Sequence, residues 1–138
     1  NGWLTEHQTS LQEISDLLKA ADRDLMDCRA PGLSSDGKLT FAYNAMLKLA
    51  ATALAAAGYR VTREAHHNRL IQSLQYTMET DRLVINQLDQ FRKKRNVGMY
   101  ERADVVSDQE VREMTALAMD LRKKIRSWLK ENYPALLG

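Results

Sequence analysis

Between Ala45 and Ala57 the chain is apolar on nearly every side of a helix, interrupted only by Lys48 and Thr52. A helix that is hydrophobic all round belongs in the middle of a bundle, because no face of it suits water. Alanines at positions 50, 51, 53, 55, 56 and 57 leave little side chain between this helix and its neighbours. Backbones can therefore approach closely, and the rest of the chain is expected to wrap around this segment.

The surrounding sequence offers helices for that role and almost no strands. β-Branched residues are scattered and never alternate over a useful length. A first helix carries Leu11, Ile14, Leu17, Leu18, Ala21 and Leu25 at steps of three and four and should end near Cys28, before Pro31 and Gly32. Leu33-Ser34-Ser35-Asp36-Gly37 supplies caps for the central helix, which runs through Phe41, Ala45, Leu49, Ala53 and Leu54. Gly58 is placed to terminate it. A third helix should start near Thr62 and bury Leu70, Ile71, Leu74 and Met78. Thr80-Asp81 permits a break before Leu83, Val84, Leu88 and Phe91, leaving open whether one bent helix or two occupy this stretch. Ser107-Asp108-Gln109-Glu110 is a capping box. It opens a last helix with its stripe at Val111, Met114, Leu117, Ala118, Leu121, Ile125, Trp128 and Leu129, closed by Asn132 and Pro134. The expectation is an all-α, up-and-down bundle of four to five helices forming a single domain over residues 1–138.

Composition narrows the function classes. A net charge of +2 is too small for wholesale nucleic-acid binding, so any anion site must be local. No run approaches the roughly 18 apolar residues needed to span a bilayer, so no membrane association is expected. The sequence starts at Asn1, which reads as a boundary rather than a native start, and shows no signal peptide. Cys28 is alone and cannot form an intramolecular disulfide, which fits a reducing, cytoplasmic setting.

The local anion site has one strong candidate. Arg92-Lys93-Lys94-Arg95 places four consecutive cations near the end of a helical pattern, followed by Asn96, Gly98 and Tyr100, where the helix is expected to stop or bend. Gly98 would let a ligand approach the backbone, and Asn96 and Tyr100 add neutral donors. Arg95 is the favoured contact, because a planar guanidinium holds two phosphate oxygens at once. The bland alternative is a solvated helix end whose cations complement the helix dipole.

Other chemistry is sparse. His66 and His67 are adjacent, so on a helix they point about 100° apart and do not share a metal easily. His7 is remote in sequence, and neither a metal site nor a cofactor is expected. Cys28 has mixed charges around it and reads as structural. Asp104, Asp108 and Glu110 suit a helix N-terminus, and no glycine-rich phosphate loop is present. Trp128, Tyr133, Leu136 and Leu137 should pack on the first helix, with a self-association surface as the second option.

Taken in order, Phe41-Ala42-Tyr43-Asn44-Ala45-Met46-Leu47, Gly58-Tyr59-Arg60, His66, Leu70-Ile71, Arg92 to Tyr100 and Trp128-Leu129 resemble the HEPN superfamily. The name stands for higher-eukaryote and prokaryote nucleotide-binding domain. The resemblance implies a helical homodimer from a group that includes metal-independent ribonucleases, toxins of toxin–antitoxin modules and partners of minimal nucleotidyltransferases. Its signature is an arginine, a polar residue, a short spacer and a histidine. Arg95 and Asn96 match the first two positions, and Tyr100 stands where the histidine should be. An imidazole titrates near neutrality, whereas a phenol with a pKa of about 10 is a poor base. The resemblance thus implies a dimer that binds RNA, a nucleotide or a partner protein through Arg92, Lys93, Lys94, Arg95, Asn96 and Tyr100 without catalysis. The alternative is a metal-independent ribonuclease with Arg95 on the phosphate and Tyr100 or His66 moving the proton.

Overall fold

The computed structural model describes residues 4–61, 66–100 and 106–138, with side chains at 4–61, 67–93 and 106–138. The described residues form an all-α bundle of five helices: α1 (Leu11–Asp27), α2 (Ser35–Ala56), α3 (His66–Thr77), α4 (Arg82–Tyr100) and α5 (Asp108–Asn132). A short 3₁₀ turn, Pro134–Leu136, follows α5.

Local contacts account for several of the described helix ends. The Ser10 side chain accepts from the Glu13 backbone N–H, Ser34 from Gly37, and Ser107 from Glu110, each satisfying a donor that the first turn leaves unpaired. At Ser107 the capping box is complete, because Glu110 also accepts from the Ser107 backbone N–H. Gly58, at φ +96°, follows the last residues of α2 in a conformation that a side chain would disfavour. Two helices, not one bent helix, occupy the stretch around Thr80. Glu79 adopts φ +55°, and the Asp81 carboxylate then accepts from the Leu83 N–H to start α4.

That cap sets the phase of α4. Ile85, Leu88 and Phe91 enter the core, while Leu83, expected there, is 72% exposed. The α1 stripe departs similarly at its start: Ile14, Leu18, Ala21 and Leu25 are buried but Leu11 is exposed.

Helix α2 is the axis of the bundle. Leu39, Ala42, Tyr43, Ala45, Met46, Leu49, Ala50 and Ala53 are all essentially inaccessible, and α1, α3, α4 and α5 each pack against it. The expectation that no segment reaches membrane-spanning character needs correction. Among the described residues α2 is long and apolar enough by composition, yet 72% of its apolar window is buried inside the bundle. Its apolar surface is core surface.

Side-chain links fix the helix directions. Asp22 pairs with Arg122 and Cys28 lies by Thr115, so α1 and α5 run antiparallel. The Ser35 hydroxyl donates to Asp108 at 2.7 Å, bringing the N-termini of α2 and α5 together. Trp128, Tyr133 and Leu136 pack against the core, with the Trp128 and Tyr133 rings edge to face at 5.3 Å between centroids, whereas Leu137, expected to pack with them on the first helix, is exposed.

One element had no warning in the sequence. Strand β1 (Leu4–Glu6) pairs antiparallel with β2 (Tyr59–Val61), in the register Leu4 to Val61, Thr5 to Arg60 and Glu6 to Tyr59. The His7 N–H extends the ladder to the Gly58 carbonyl at 2.9 Å. This two-stranded clasp fastens the segment before α1 to the link after α2.

Candidate functional site

The basic run lies in a continuous helix. The backbone of α4 stays helical through Asn96 and Gly98 to Tyr100, so the expected stop or bend at these residues is corrected. Three flanking turns of hydrogen-bonded helix from Ile85 onward outweigh the cost of one glycine, about 1 kcal/mol relative to alanine. The consequence for the cations is direct. No basic residue occupies the last turn of α4, and a dipole effect fades within that turn. Arg92 to Arg95 are therefore not placed as simple complements to a helix end.

Within α4 there are five cations, Arg82 and the run 92–95, against a single carboxylate, Asp89. Asp89 accepts from Arg92 Nε at 2.8 Å and lies 3.6 Å from Lys93 Nζ. One negative charge thus serves two of the four clustered cations, at i+3 and i+4 as helix geometry requires. Arg92 is half-buried by this contact and Lys93 is exposed. The side chains of Lys94, Arg95, Asn96 and Tyr100, on which the anion-contact expectation chiefly rests, lie outside those described, and so does that of His66.

The remaining candidates separate in space and role. His67 stands edge-on to the buried Tyr43 ring at 5.7 Å between centroids, which joins α3 to α2. His7 belongs to the clasp: its Nε2 lies 2.8 and 3.0 Å from the two oxygens of Glu13. Thr9 donates to the same carboxylate at 2.6 Å. The Thr9 hydrogen bond is the largest cause holding the Glu13 carboxyl below the usual glutamate range, with partial burial opposing it and His7 and Arg60 assisting. Burial pushes the Cys28 thiol above its ordinary pKa, with Thr115 opposing. A buried, protonated thiol is a poor nucleophile, in keeping with a structural cysteine. Among the described residues no group of three or more His, Cys, Asp or Glu side chains is arranged to hold a metal ion.

A groove of about 240 Å³ separates α4 from α5 and is lined by Gln87, Gln90, Phe91, Glu110 and Glu113. Its two carboxylates make it a poor seat for a polyanion, so any phosphate ligand of the basic run must approach from elsewhere on α4.

A second concentration of charge escaped attention in the sequence. Arg122, Lys123, Lys124, Arg126 and Lys130 crowd the C-terminal half of α5. Asp22 takes Arg122 through both Nε and Nη2, and Lys124 pairs with Asp120 at 2.9 Å. Five cations within nine residues were visible as a signal, but their spread over a long amphipathic pattern resembles an ordinary solvated helix face. No protein-family model, no curated protein and no solved structure matches this chain.

Proposed function

We propose that this protein is a HEPN-like helical bundle that works as a homodimer and binds a phosphate-bearing ligand, RNA or a nucleotide, through the Arg92–Tyr100 segment without cleaving it. One observation carries the reading: α4 bears five cations to one carboxylate, and that carboxylate sits between Arg92 and Lys93. The surplus positive charge of the helix therefore gathers toward Lys94 and Arg95. A concentrated surplus of this kind attracts phosphate oxygens, and arginine can hold two of them at once. The order of sequence features along a five-helix bundle supports the family assignment. Tyr100 in place of a histidine supports binding without proton transfer.

The test is fluorescence anisotropy with a labelled single-stranded RNA in the presence of EDTA, alongside sedimentation to measure the assembly state. Arg95→Ala should weaken binding about tenfold, as expected for loss of a charge-assisted contact. Equal affinity of Arg95→Ala and the parent protein would remove the proposal. Cleavage of the RNA during the assay, abolished by Tyr100→Phe or His66→Ala, would replace it with a metal-independent ribonuclease.

A further inference from the structure

Independently of α4, a cavity elsewhere in the bundle gathers Ser15, Lys19 and Arg126, whose polar groups are wholly or partly without partners. It has a volume of about 320 Å³ and lies between α1, α5 and the C-terminal turn. Its walls include Leu11, Leu18, Leu136 and Leu137. Leu11 is 47% exposed although it begins an otherwise buried stripe, so the cavity leaves apolar surface open to water.

Ser15 and Lys19 line the same cavity one helical turn apart, which puts a hydroxyl and an ammonium on one face of α1. Neither makes a hydrogen bond or ion pair among the described residues. Arg126 enters from α5, and its Nε is buried with no acceptor. Its Nη2 reaches only to 3.6 Å from Asp22, a carboxylate already engaged by both Nε and Nη2 of Arg122. Asp22 thus faces two guanidiniums, with Lys19 adding a third cation to the cavity, which Gln12 and Gly138 also line. A buried donor without an acceptor is destabilising, and an anionic oxygen at this position would relieve it.

We propose that this cavity binds a small aliphatic acid, its carboxylate on Arg126, Lys19 and Ser15 and its hydrocarbon chain against the leucines. The size argues for a small ligand, because the volume sits near the lower limit of about 300 Å³ for small-molecule pockets. The wall chemistry argues for an aliphatic one, since the apolar lining is leucine and offers no aromatic face on which a base could stack. The unsatisfied donors fix the charge of its head.

Calorimetric titration of the full 138-residue chain with octanoate, and with octanamide as its uncharged counterpart, tests the proposal. Octanoate should saturate one site with a Kd at or below about 1 mM, and octanamide should bind at least about tenfold more weakly. Lys19→Met and Arg126→Met should each weaken octanoate about tenfold, while Lys130→Met, on the same helix but outside the cavity lining, should leave it unchanged. Lys19 is exposed, so its variant keeps the fold even if Arg126→Met loosens the bundle. Absence of saturable binding, equal affinity for acid and amide, or parent-like affinity in Lys19→Met would each overturn the proposal.

Discussion

Lys48, the one charged residue in the apolar run of α2, reaches back to Asp24 of α1, with Nζ 2.5 Å from Oδ2. Asp24 is only 7% exposed, so its charge is tolerable because Lys48 meets it. Lys48→Met would leave that carboxylate nearly buried and unpaired. The expected loss is about 1–3 kcal/mol in urea unfolding, below the value for a fully buried pair because Lys48 keeps contact with solvent. Combining it with Asp24→Asn should cost less than the sum of the single changes, and strict additivity would show that the two side chains do not interact.

The start of α5 offers a second check. Ser107→Ala removes the side-chain acceptor for the Glu110 N–H and should destabilise the protein by about 1 kcal/mol in thermal or urea unfolding. Glu110→Ala removes the reciprocal half of the box, so its effect should overlap with that of Ser107→Ala. A double variant with twice the loss would show that the two halves act separately.

Glu13 provides a pH prediction with a definite sign. Its folded-state pKa is depressed, chiefly by the Thr9 hydroxyl, with burial opposing and His7 contributing. Its stabilising contribution is therefore present above the ordinary glutamate range and disappears as pH falls through the lowered folded value. Thr9→Val should move the Glu13 carboxyl upward in an NMR titration. An unmoved titration would show that Thr9 does not set the shift.

Asp89 connects the observed ion pairs to the proposed ligand. Asp89→Asn removes the carboxylate that Arg92 and Lys93 share, adding one unit of positive charge to α4. RNA affinity should rise and the logarithmic dependence on salt should steepen by about 0.7 for one additional phosphate contact on a single strand. Weaker binding in this variant would mean that Asp89 positions the cations rather than dampening them.

Helical residues told most of this story in advance because a stripe at steps of three and four carries its own geometry. Ile14, Leu18, Ala21 and Leu25 in α1 and Met114, Ala118, Leu121 and Ile125 in α5 are buried where that periodicity puts them. Phase was harder to see than existence. The Asp81 cap turns α4 so that Ile85 enters the core and Leu83 does not, a choice that depends on where the first turn closes. The clasp was invisible because three-residue strands are too short to show alternation, and their central pair, Thr5 and Arg60, lies 55 positions apart in the chain. Lys48 stood out only as an interruption of the apolar run, and its pairing with Asp24 follows from how α1 packs on α2. The basic run of α4 was evident as composition, with Asp89 at the helical spacing that lets it meet Arg92 and Lys93, whereas the burial of Arg126 Nε is a product of packing.

The central position of α2 has a consequence for how the protein is made. Its Leu–Ala surface leaves the ribosome before α5, the helix whose Val111, Met114, Ala118 and Ile125 help to cover it, has been synthesised. Until then a nascent chain displays a segment greasy enough to recruit chaperones or misfolded neighbours. A premature stop before Asp108 would make that exposure permanent, turning the central helix of the finished molecule into the hazard of the unfinished one.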